Sequence, residues 1–223
     1  MSDNVNKRIQ YDCSDCKTYH CDKRNSTYPS FCPTTATDKE LLEDIKKIYI
    51  RNPLVSKIYA FSTEIEGLYY GKLTRIEEII LFAKKIGAKK LGIATCMGSI
   101  NEAVVFTKVL KAKGIKDYFC VNCKVGSVEK TEVGIPEEHK IHPGKFEPAC
   151  NPILQAEILN NSHTDLNILI GLCVGHDALF TMYSKAPCVT FAVKDRVLQQ
   201  NPMAAIYGVN SYYKRLLQED GDV

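Results

Sequence analysis

Short apolar runs alternate with helical stretches through the central part of the chain. The runs have the length and composition of buried strands; they are 90–95 (KLGIAT), 117–121 (DYFCV), 166–172 (LNILIGL) and 188–193 (CVTFAV). Helical patterns separate them, and strands joined by helices require right-handed crossovers that produce a parallel sheet. We therefore predict an α/β fold: a mostly parallel sheet of about four strands with helices on both faces.

The segment before the first strand is predicted to be helical. Two capping-box patterns, TDKE at 37–40 and TRIE at 74–77, are typical of helix starts. The predicted helices are 37–50, 54–66 with Gly67 as its stop, and 74–86 with Gly87 as its stop. The last 25 or so residues are expected to form a helical appendage.

Three of the predicted strands lead into a cysteine. Cys96 follows the first strand, Cys123 lies just past the second and Cys173 follows the third, whereas Cys150 immediately precedes a helix start. In a parallel sheet these positions share the edge at the carboxyl ends of the strands, where ligands bind and helix N-termini favour thiolates. We predict that the four thiolates form one site there, which would hold an iron–sulfur cluster. The alternatives are a catalytic cysteine with supporting thiols, or buried cysteines that are unrelated to one another.

Several other polar residues are predicted at the same edge: Asn101, Glu102, His176, Asp177, Lys194, Asp195 and Arg196. His176 is the best candidate for an acid–base group or an additional ligand, although a histidine at a helix start also caps backbone groups. Lys194 and Arg196 would hold an anionic substrate, offset the charge of a thiolate cluster or serve as solvated loop charges. We take His176 and Lys194 as the candidate catalytic residues.

Two further cysteines lie within predicted strands. Cys120 and Cys188 are interpreted as structural, because buried free cysteine behaves as a small apolar residue. Cys120 is kept as an alternative to Cys123, since C-x2-C is itself a ligand spacing.

The N-terminal segment, residues 1–36, differs from the 37–223 α/β domain in having almost no aliphatic side chains. Cys13, Cys16, Cys21 and Cys32 are spaced C-x2-C-x4-C-x10-C within it. Four thiolates this close in sequence suit zinc or an iron–sulfur cluster, and a bound metal would order a segment that lacks a core. We predict a metal site at these cysteines; His20 as a replacement ligand and plain free or disulfide-bonded cysteines are the alternatives.

The composition and motifs of the chain indicate where the protein is located and which classes of partner are not supported. Ten cysteines in a chain whose first residues, Met1–Asn4, lack a secretory pattern favour metal binding over disulfides and a cytoplasmic location. The formal net charge of +3 is too small to indicate a nucleic-acid partner, and no run approaches the roughly 20 apolar residues of a membrane span. Neither phosphate-binding glycine motif is present, so nucleotide binding has no support.

The chain resembles a family of uncharacterised proteins from anaerobic bacteria and archaea that is described as metal-binding and defined as a domain of unknown function. The matching segments are CSDCKTYHC, FCP, TRIEEIILFAKKIGAKKLGIATCMG, CKVG, CNPILQAEILN, GLCVGHDALF and VKDRVLQQNP. They cover nearly the whole chain, and GLCVGHD and KDRVL are the most specific. The resemblance implies metal binding and no particular reaction.

The resulting hypothesis is an iron–sulfur protein, 4Fe–4S in its most typical form, that acts in electron transfer with a redox partner protein or in cluster chemistry on a small molecule. Four protein thiolates would saturate a rim cluster and favour electron transfer, whereas three would leave an iron open to substrate. One alternative is a zinc-stabilised enzyme with Cys173 or Cys96 as nucleophile and His176 as base. Another is a metal carrier or sensor that uses the N-terminal site.

Overall fold

The computed structural model describes residues 11–23 and 27–218 of the 223-residue chain. The parts of the predicted 1–36 segment at 1–10 and 24–26, which include Met1–Asn4, lie outside the described residues, as do 219–223. The chain divides into two compact units, Met1–Thr63 and Glu64–Val223. The division falls within a helix, whereas the sequence placed a boundary near residue 36.

The described part of the first unit contains helices joined by turns and irregular segments. It contains α1 (His20–Lys23), α2 (Pro33–Ala36), α3 (Lys39–Arg51) and the first part of α4 (Pro53–Tyr69). The cap of α3 is Asp38, whose carboxylate accepts hydrogen bonds from the backbone N–H groups of Glu40 and Leu41. The prediction of Thr37 as the capping residue was therefore wrong, since its hydroxyl donates to the carbonyl of Pro33.

Helix α4 passes through the predicted stop at Gly67 and ends at Tyr69. Gly71, two residues further on, has a left-handed backbone with φ 67°. A glycine within a helix costs about 1 kcal/mol relative to alanine, which is too little to end a helix on its own. The positive φ that ends many helices is found at Gly71 and not at Gly67.

The second unit is built on a four-stranded parallel sheet, which confirms the α/β prediction. The strands are β1 (Leu91–Thr95), β2 (Tyr118–Asn122), β3 (Leu166–Leu172) and β4 (Cys188–Val193), in the order β2-β1-β3-β4. The central strands β1 and β3 are buried along their whole length, which explains their continuous apolar sequences. The edge strands β2 and β4 are partly exposed.

Helices surround this sheet. They are α5 (Arg75–Ile86), α6 (Ile100–Ala112), α7 (Pro152–Asn161) and α8 (His176–Tyr183), followed by the short α9 (Met203–Tyr207) and a 3-10 turn at Lys214–Leu217. The predicted capping box of α5 is confirmed, because Thr74 donates to the carboxylate of Glu77 through both its backbone N–H and its hydroxyl. The predicted stop at Gly87, with φ 70°, is confirmed as well.

The core lies on both faces of the sheet. Ala156 and Leu159 of α7 and Phe180 of α8 pack with one set of strand residues, including Ala94 and Leu169. Alternate strand residues point to the other face, where α6 contacts β1 and α5 contacts β4. Within the described residues, no helix combines the length and the apolar composition that a membrane crossing requires.

Candidate functional site

The strand order creates a crevice at the carboxyl ends of β1 and β3. The chain leaves β1 toward β2 on one side of the sheet and leaves β3 toward β4 on the other side. Ligands of open parallel sheets bind where the connections diverge in this way. Cys96 and Cys173 are the residues that directly follow these two strands, and the backbone N–H of Cys96 donates to the carbonyl of Ile170 on β3 at 3.1 Å. The two cysteines therefore flank the crevice.

Backbone hydrogen bonds also bring Cys123 and Cys150 to this edge. The N–H of Cys123 donates to the carbonyl of Thr95 at 2.8 Å, which extends the β1–β2 pairing by one residue. The carbonyl of Cys123 accepts from the N–H of Asn151 at 2.7 Å. Asn151 caps α7 through a hydrogen bond from Leu154, so the helix start fixes Cys150 beside Cys123.

All four cysteines line one cavity of about 750 Å³. Their thiols lie close enough to shift one another's pKa values by side-chain hydrogen bonding: Cys123 interacts with Cys96 and Cys150, and Cys96 interacts with Cys173. The four cysteines, which are spread over residues 96–173 of the sequence, are thus neighbours in space. The arrangement is what the crossover topology predicts for cysteines that follow parallel strands.

The interactions among the thiols shift their pKa values in opposite directions. The bond from Cys123 lowers the pKa of Cys96, assisted by the backbone N–H of Gly98 and the charge of Lys194. A second bond from Cys123 lowers the pKa of Cys150, whereas the same bonds raise the pKa of Cys123 itself. The proton is therefore held on Cys123, whose single S–H is shared between its two neighbours and favours the thiolate form of Cys96 and Cys150, the form that binds metals and attacks electrophiles.

Two N–H donors outside the cysteine set bind the sulfurs. The backbone N–H of Met97 donates to Sγ of Cys123 at 3.2 Å. Nη2 of Arg196 donates to Sγ of Cys173 at 3.1 Å, and this bond raises the pKa of the arginine above its ordinary value. N–H donors to sulfur stabilise thiolates and tune the properties of metals bound to them.

A buried glutamine lies beneath the cysteines. Gln155 of α7 has no exposed surface, and its Nε2 donates to the carbonyls of Val121 at 2.8 Å and Thr95 at 3.1 Å. These carbonyls belong to the ends of β2 and β1, just before Cys123 and Cys96. Its Oε1 has no hydrogen-bond partner. Gln155 therefore ties together the two strand ends that carry these cysteines.

Lys194 approaches the cavity from the end of β4. Its Nζ donates to Oγ of Ser99 at 3.0 Å, and its backbone N–H donates to the carbonyl of Leu172. Gly171 permits this approach: its φ is 64°, and a Cβ there would lie 2.4 Å from Oγ of Ser99. The register of β3 against β4 is irregular between Ile170 and Leu172, as expected for a bulge beside a site.

The loop between Lys124 and Cys150 forms another wall of the cavity. Lys130 pairs with Glu147, and Lys140 pairs with both Glu129 and Glu137. The bond from Lys130, with the backbone N–H of His142, lowers the pKa of Glu147 to about 2. These ion pairs add to the backbone hydrogen bonds within the loop, such as that from the N–H of Ala149 to the carbonyl of Val128, and help to hold the loop in place.

Only some of the other residues that we predicted at this edge lie at the cavity. His176, Asp195 and Arg196 line the cavity. Asn101 and Glu102 line a separate pocket beside Phe106, and Asp177 lines another between α8 and strands β3 and β4. Cys120 and Cys188 are away from the cavity; Sγ of Cys188 donates to the carbonyl of Ala186, and burial raises its pKa.

The N-terminal cysteines are only partly gathered. Cys13 and Cys21 are exposed, Cys16 is half-buried and Cys32 is buried. Cys16 lies near enough to Cys32 for its charge to oppose ionisation of Cys32, although hydrogen bonds from Thr34 lower the pKa of Cys32 overall. Nδ1 of His20 is hydrogen-bonded to the carbonyl of Thr27 at 2.5 Å.

Among residues 11–23 and 27–218, no three histidine, cysteine, aspartate or glutamate side chains are arranged as a site for a metal ion. The rim cysteines are free thiols that lie close enough to shift one another's pKa values.

Residues 32–191 match the family described as "Protein of unknown function (DUF1847)". The chain belongs to the DUF1847 family. An uncharacterised protein of Methanocaldococcus jannaschii, MJ0455, is 44% identical over 202 residues, which cover 91% of this chain and 98% of that protein. No solved structure matches the chain.

The DUF1847 match contains all four rim cysteines and, of the N-terminal four, Cys32 alone. Lys194 and Arg196 lie just beyond it. The resemblance noted from the sequence is thus confirmed as a family membership, and the family description carries no activity or metal.

Sequence reasoning missed three residues of the site: Ser99, Gln155 and Gly171. Two of them, Gln155 and Gly171, stand out in the sequence because they interrupt an apolar pattern. Gln155 is a polar residue within the apolar pattern of PILQAEIL, and Gly171 interrupts the apolar strand LNILIGL. A glycine inside a strand indicates a bulge or a close approach. Ser99 left no signal, since its role depends on Lys194, 95 residues away.

Proposed function

We propose that this DUF1847 protein is a cytoplasmic metal-binding protein whose rim cysteines, Cys96, Cys123, Cys150 and Cys173, hold an iron–sulfur cluster. The observation that supports the proposal is the convergence of these four thiols on one cavity at the switch point of a parallel sheet. Four soft sulfur donors suit iron–sulfur clusters and zinc, and do not suit magnesium or calcium.

The surroundings of the thiols fit such a group. Cys96 and Cys150 already have lowered pKa values, so the cost of deprotonating them before metal binding is small. Cys123 must give up a strongly held proton. Met97 and Arg196 provide N–H donors to two of the sulfurs. Lys194 places a positive charge beside Cys96, which offsets part of the negative charge of a thiolate centre.

A cluster bound here would supply one-electron transfer. Ligation by all four cysteines would leave no open iron and would make the protein an electron carrier for a redox partner. Ligation by three would leave one iron open to a small molecule, with His176 placed to exchange a proton with it through its imidazole. We extend the proposal to a second metal site at Cys13, Cys16, Cys21 and Cys32, supported by their spacing alone.

The second candidate function is a thiol enzyme in which zinc plays a structural part. The lowered pKa of Cys96 supports it, because a thiolate at neutral pH is a nucleophile. The proposed base, His176, is among the groups that lower the pKa of Cys150 and not of Cys96. The pairing of Cys173 or Cys96 with His176 is therefore less well supported than metal ligation.

Metal and sulfide analysis of oxygen-free protein tests the proposal. We expect iron and acid-labile sulfide in the purified chain, with broad absorption near about 400 nm. Cys→Ala changes at 96, 123, 150 and 173 should each lower the iron content, and Cys120→Ala should not. Colourless protein that holds zinc would favour the thiol enzyme. Protein that acquires no metal after anaerobic reconstitution would refute the proposal.

A further inference from the structure

The rim cavity is larger than a thiol-bound metal centre needs. Metal–sulfur bonds are about 2.3 Å long, so the four cysteines enclose only the part of the cavity nearest to the strand ends. The full volume of about 750 Å³ falls within the range of roughly 300–1,000 Å³ that is typical of pockets for small organic ligands. Space therefore remains beside the thiols.

The cavity has more basic than acidic side chains in its lining. Four cationic side chains line the cavity, against two carboxylates, Glu147 and Asp195. Both carboxylates are already engaged: Glu147 by Lys130 and the N–H of His142, and Asp195 by the N–H groups of Val197 and Leu198.

The two cations at the end of β4 have no such partner. Within the described part of the chain, no carboxylate lies within ion-pair distance of Lys194 or Arg196. Ser99 accepts one hydrogen bond from Lys194, and Cys173 accepts one from Arg196. An ammonium has three donors and a guanidinium has five, so both groups keep donors for a ligand.

The position of the Lys194 ammonium is fixed by its surroundings. Ser99 is buried, and a Cβ added at Gly98 or at Gly171 would lie 3.5 Å from Nζ. Because Gly98 and Gly171 have no side chains, no side-chain atom of either residue crowds Nζ of Lys194. An ammonium held in this way beside open space is typical of a site that recognises an anionic group.

Part of the cavity wall is apolar. Val133, Ile135 and Ile141 of the 124–150 loop line it. All three are exposed, and Ile141 keeps 75% of its surface accessible. The ion pairs of Lys130 and Lys140 hold this loop in place. Apolar side chains fixed next to a cavity favour an apolar ligand group.

We propose that this cavity binds a small organic carboxylate beside the thiol centre. The carboxylate accepts hydrogen bonds from Lys194 and Arg196, and a chain of a few carbons contacts Val133, Ile135 and Ile141. As the substrate class of the thiol centre, this ligand rests on the proposed function. As a binding site, it depends only on the cavity and is tested without reference to metal.

Calorimetry on the full chain, purified without oxygen, tests the proposal with butyrate, butyramide and acetate as probes. We expect butyrate to bind with a Kd below about 10 mM. Butyramide, which has the same shape without the charge, should bind roughly ten- to hundredfold more weakly. Acetate should bind more weakly than butyrate because it lacks the apolar chain.

Two variants assign the site, with metal content measured in parallel. Lys194→Met should weaken butyrate binding roughly tenfold or more. Lys185→Met, at an exposed position outside the cavity, should bind like the parent chain.

Three results would overturn the proposal: no binding of any of these carboxylates, equal binding of butyrate and butyramide, or loss of metal in Lys194→Met with butyrate affinity unchanged. The last result would assign the lysine to the thiolates instead. Butyrate binding by a chain that acquires no metal on anaerobic reconstitution would support the cavity site and refute the metal proposal, so failure of one proposal can be told from failure of the other.

Discussion

Nη2 of Arg196 donates a hydrogen bond of 3.1 Å to Sγ of Cys173, across the loop that follows β4. The two residues follow neighbouring strands, β4 and β3, whose carboxyl ends meet at the same edge of the sheet. A guanidinium bound to a sulfur stabilises the thiolate and holds its side chain toward the cavity.

Replacement of this arginine should loosen the proposed metal centre. We expect Arg196→Met to weaken metal binding by roughly 10–100-fold, the usual effect of removing a hydrogen-bond partner of a metal ligand. The rate of metal transfer to a chelator measures the effect. Arg51→Met, at an exposed position in α3, serves as the control and should match the parent chain. Equal transfer rates in all three proteins would show that the bond to Cys173 has no part in metal retention.

The Cys150 thiol of the metal-free protein should react at unusually low pH. The pKa of Cys150 is lowered to about 5, chiefly by its hydrogen bond from Cys123, so this residue is a thiolate at neutral pH. Alkylation by iodoacetamide, followed by mass spectrometry across about pH 4–9, should show Cys150 reacting above about pH 5. Cys188, whose pKa is raised by burial, should stay unreacted until the pH is much higher.

The same experiment on Cys123→Ala tests the cause. Loss of the donor destabilises the thiolate and raises the pKa of Cys150, so the midpoint of its alkylation curve should move to higher pH. An unchanged midpoint would assign the low pKa to Lys124 and His176 instead.

Gln155 should be needed for both stability and the site. Gln155→Leu leaves the carbonyls of Thr95 and Val121 without their side-chain donor, and we expect a loss of about 1–3 kcal/mol in the free energy of unfolding. Urea denaturation measures it. Asn161→Leu, an exposed amide on the same helix, should change stability by less than about 0.5 kcal/mol. If the two variants are equally stable, the buried bonds of Gln155 contribute nothing measurable.

Gly171 should tolerate no side chain. Gly171→Ala imposes a left-handed backbone on alanine and places its Cβ 2.4 Å from Oγ of Ser99. Gly114→Ala is the matched control, because Gly114 also has a positive φ, 85°, but nothing lies within 4 Å of its Cβ position. The control should lose about 1–2 kcal/mol from backbone strain alone. Gly171→Ala should lose more, as judged by urea denaturation.

A second change separates the clash from the strain. Adding Ser99→Gly to Gly171→Ala removes the atoms that the new Cβ meets and should restore part of the stability. Failure of the double variant to recover any stability would mean that the backbone conformation, and not Ser99, excludes a side chain at this position.

Most of the fold could be predicted from the sequence, because each strand and helix has a characteristic local pattern of residues. Uninterrupted apolar runs indicate strands that are buried on both faces, and a run followed by a helix implies a crossover. β3 was found at its true limits, Leu166–Leu172, for this reason. The helix stop at Gly67 was misplaced because a single glycine costs too little to end a helix.

The convergence of Cys96, Cys123, Cys150 and Cys173 was also predictable, since topology alone brings strand ends together. Their chemical differences were not predictable. The low pKa of Cys96, the retained proton of Cys123 and the bond from Arg196 to Cys173 depend on distances of a few ångströms. Such distances are set by the pairing register and by the bulge at Gly171, which no local pattern encodes. The sequence determined which residues reach the edge of the sheet, and the tertiary structure decided which of them touch.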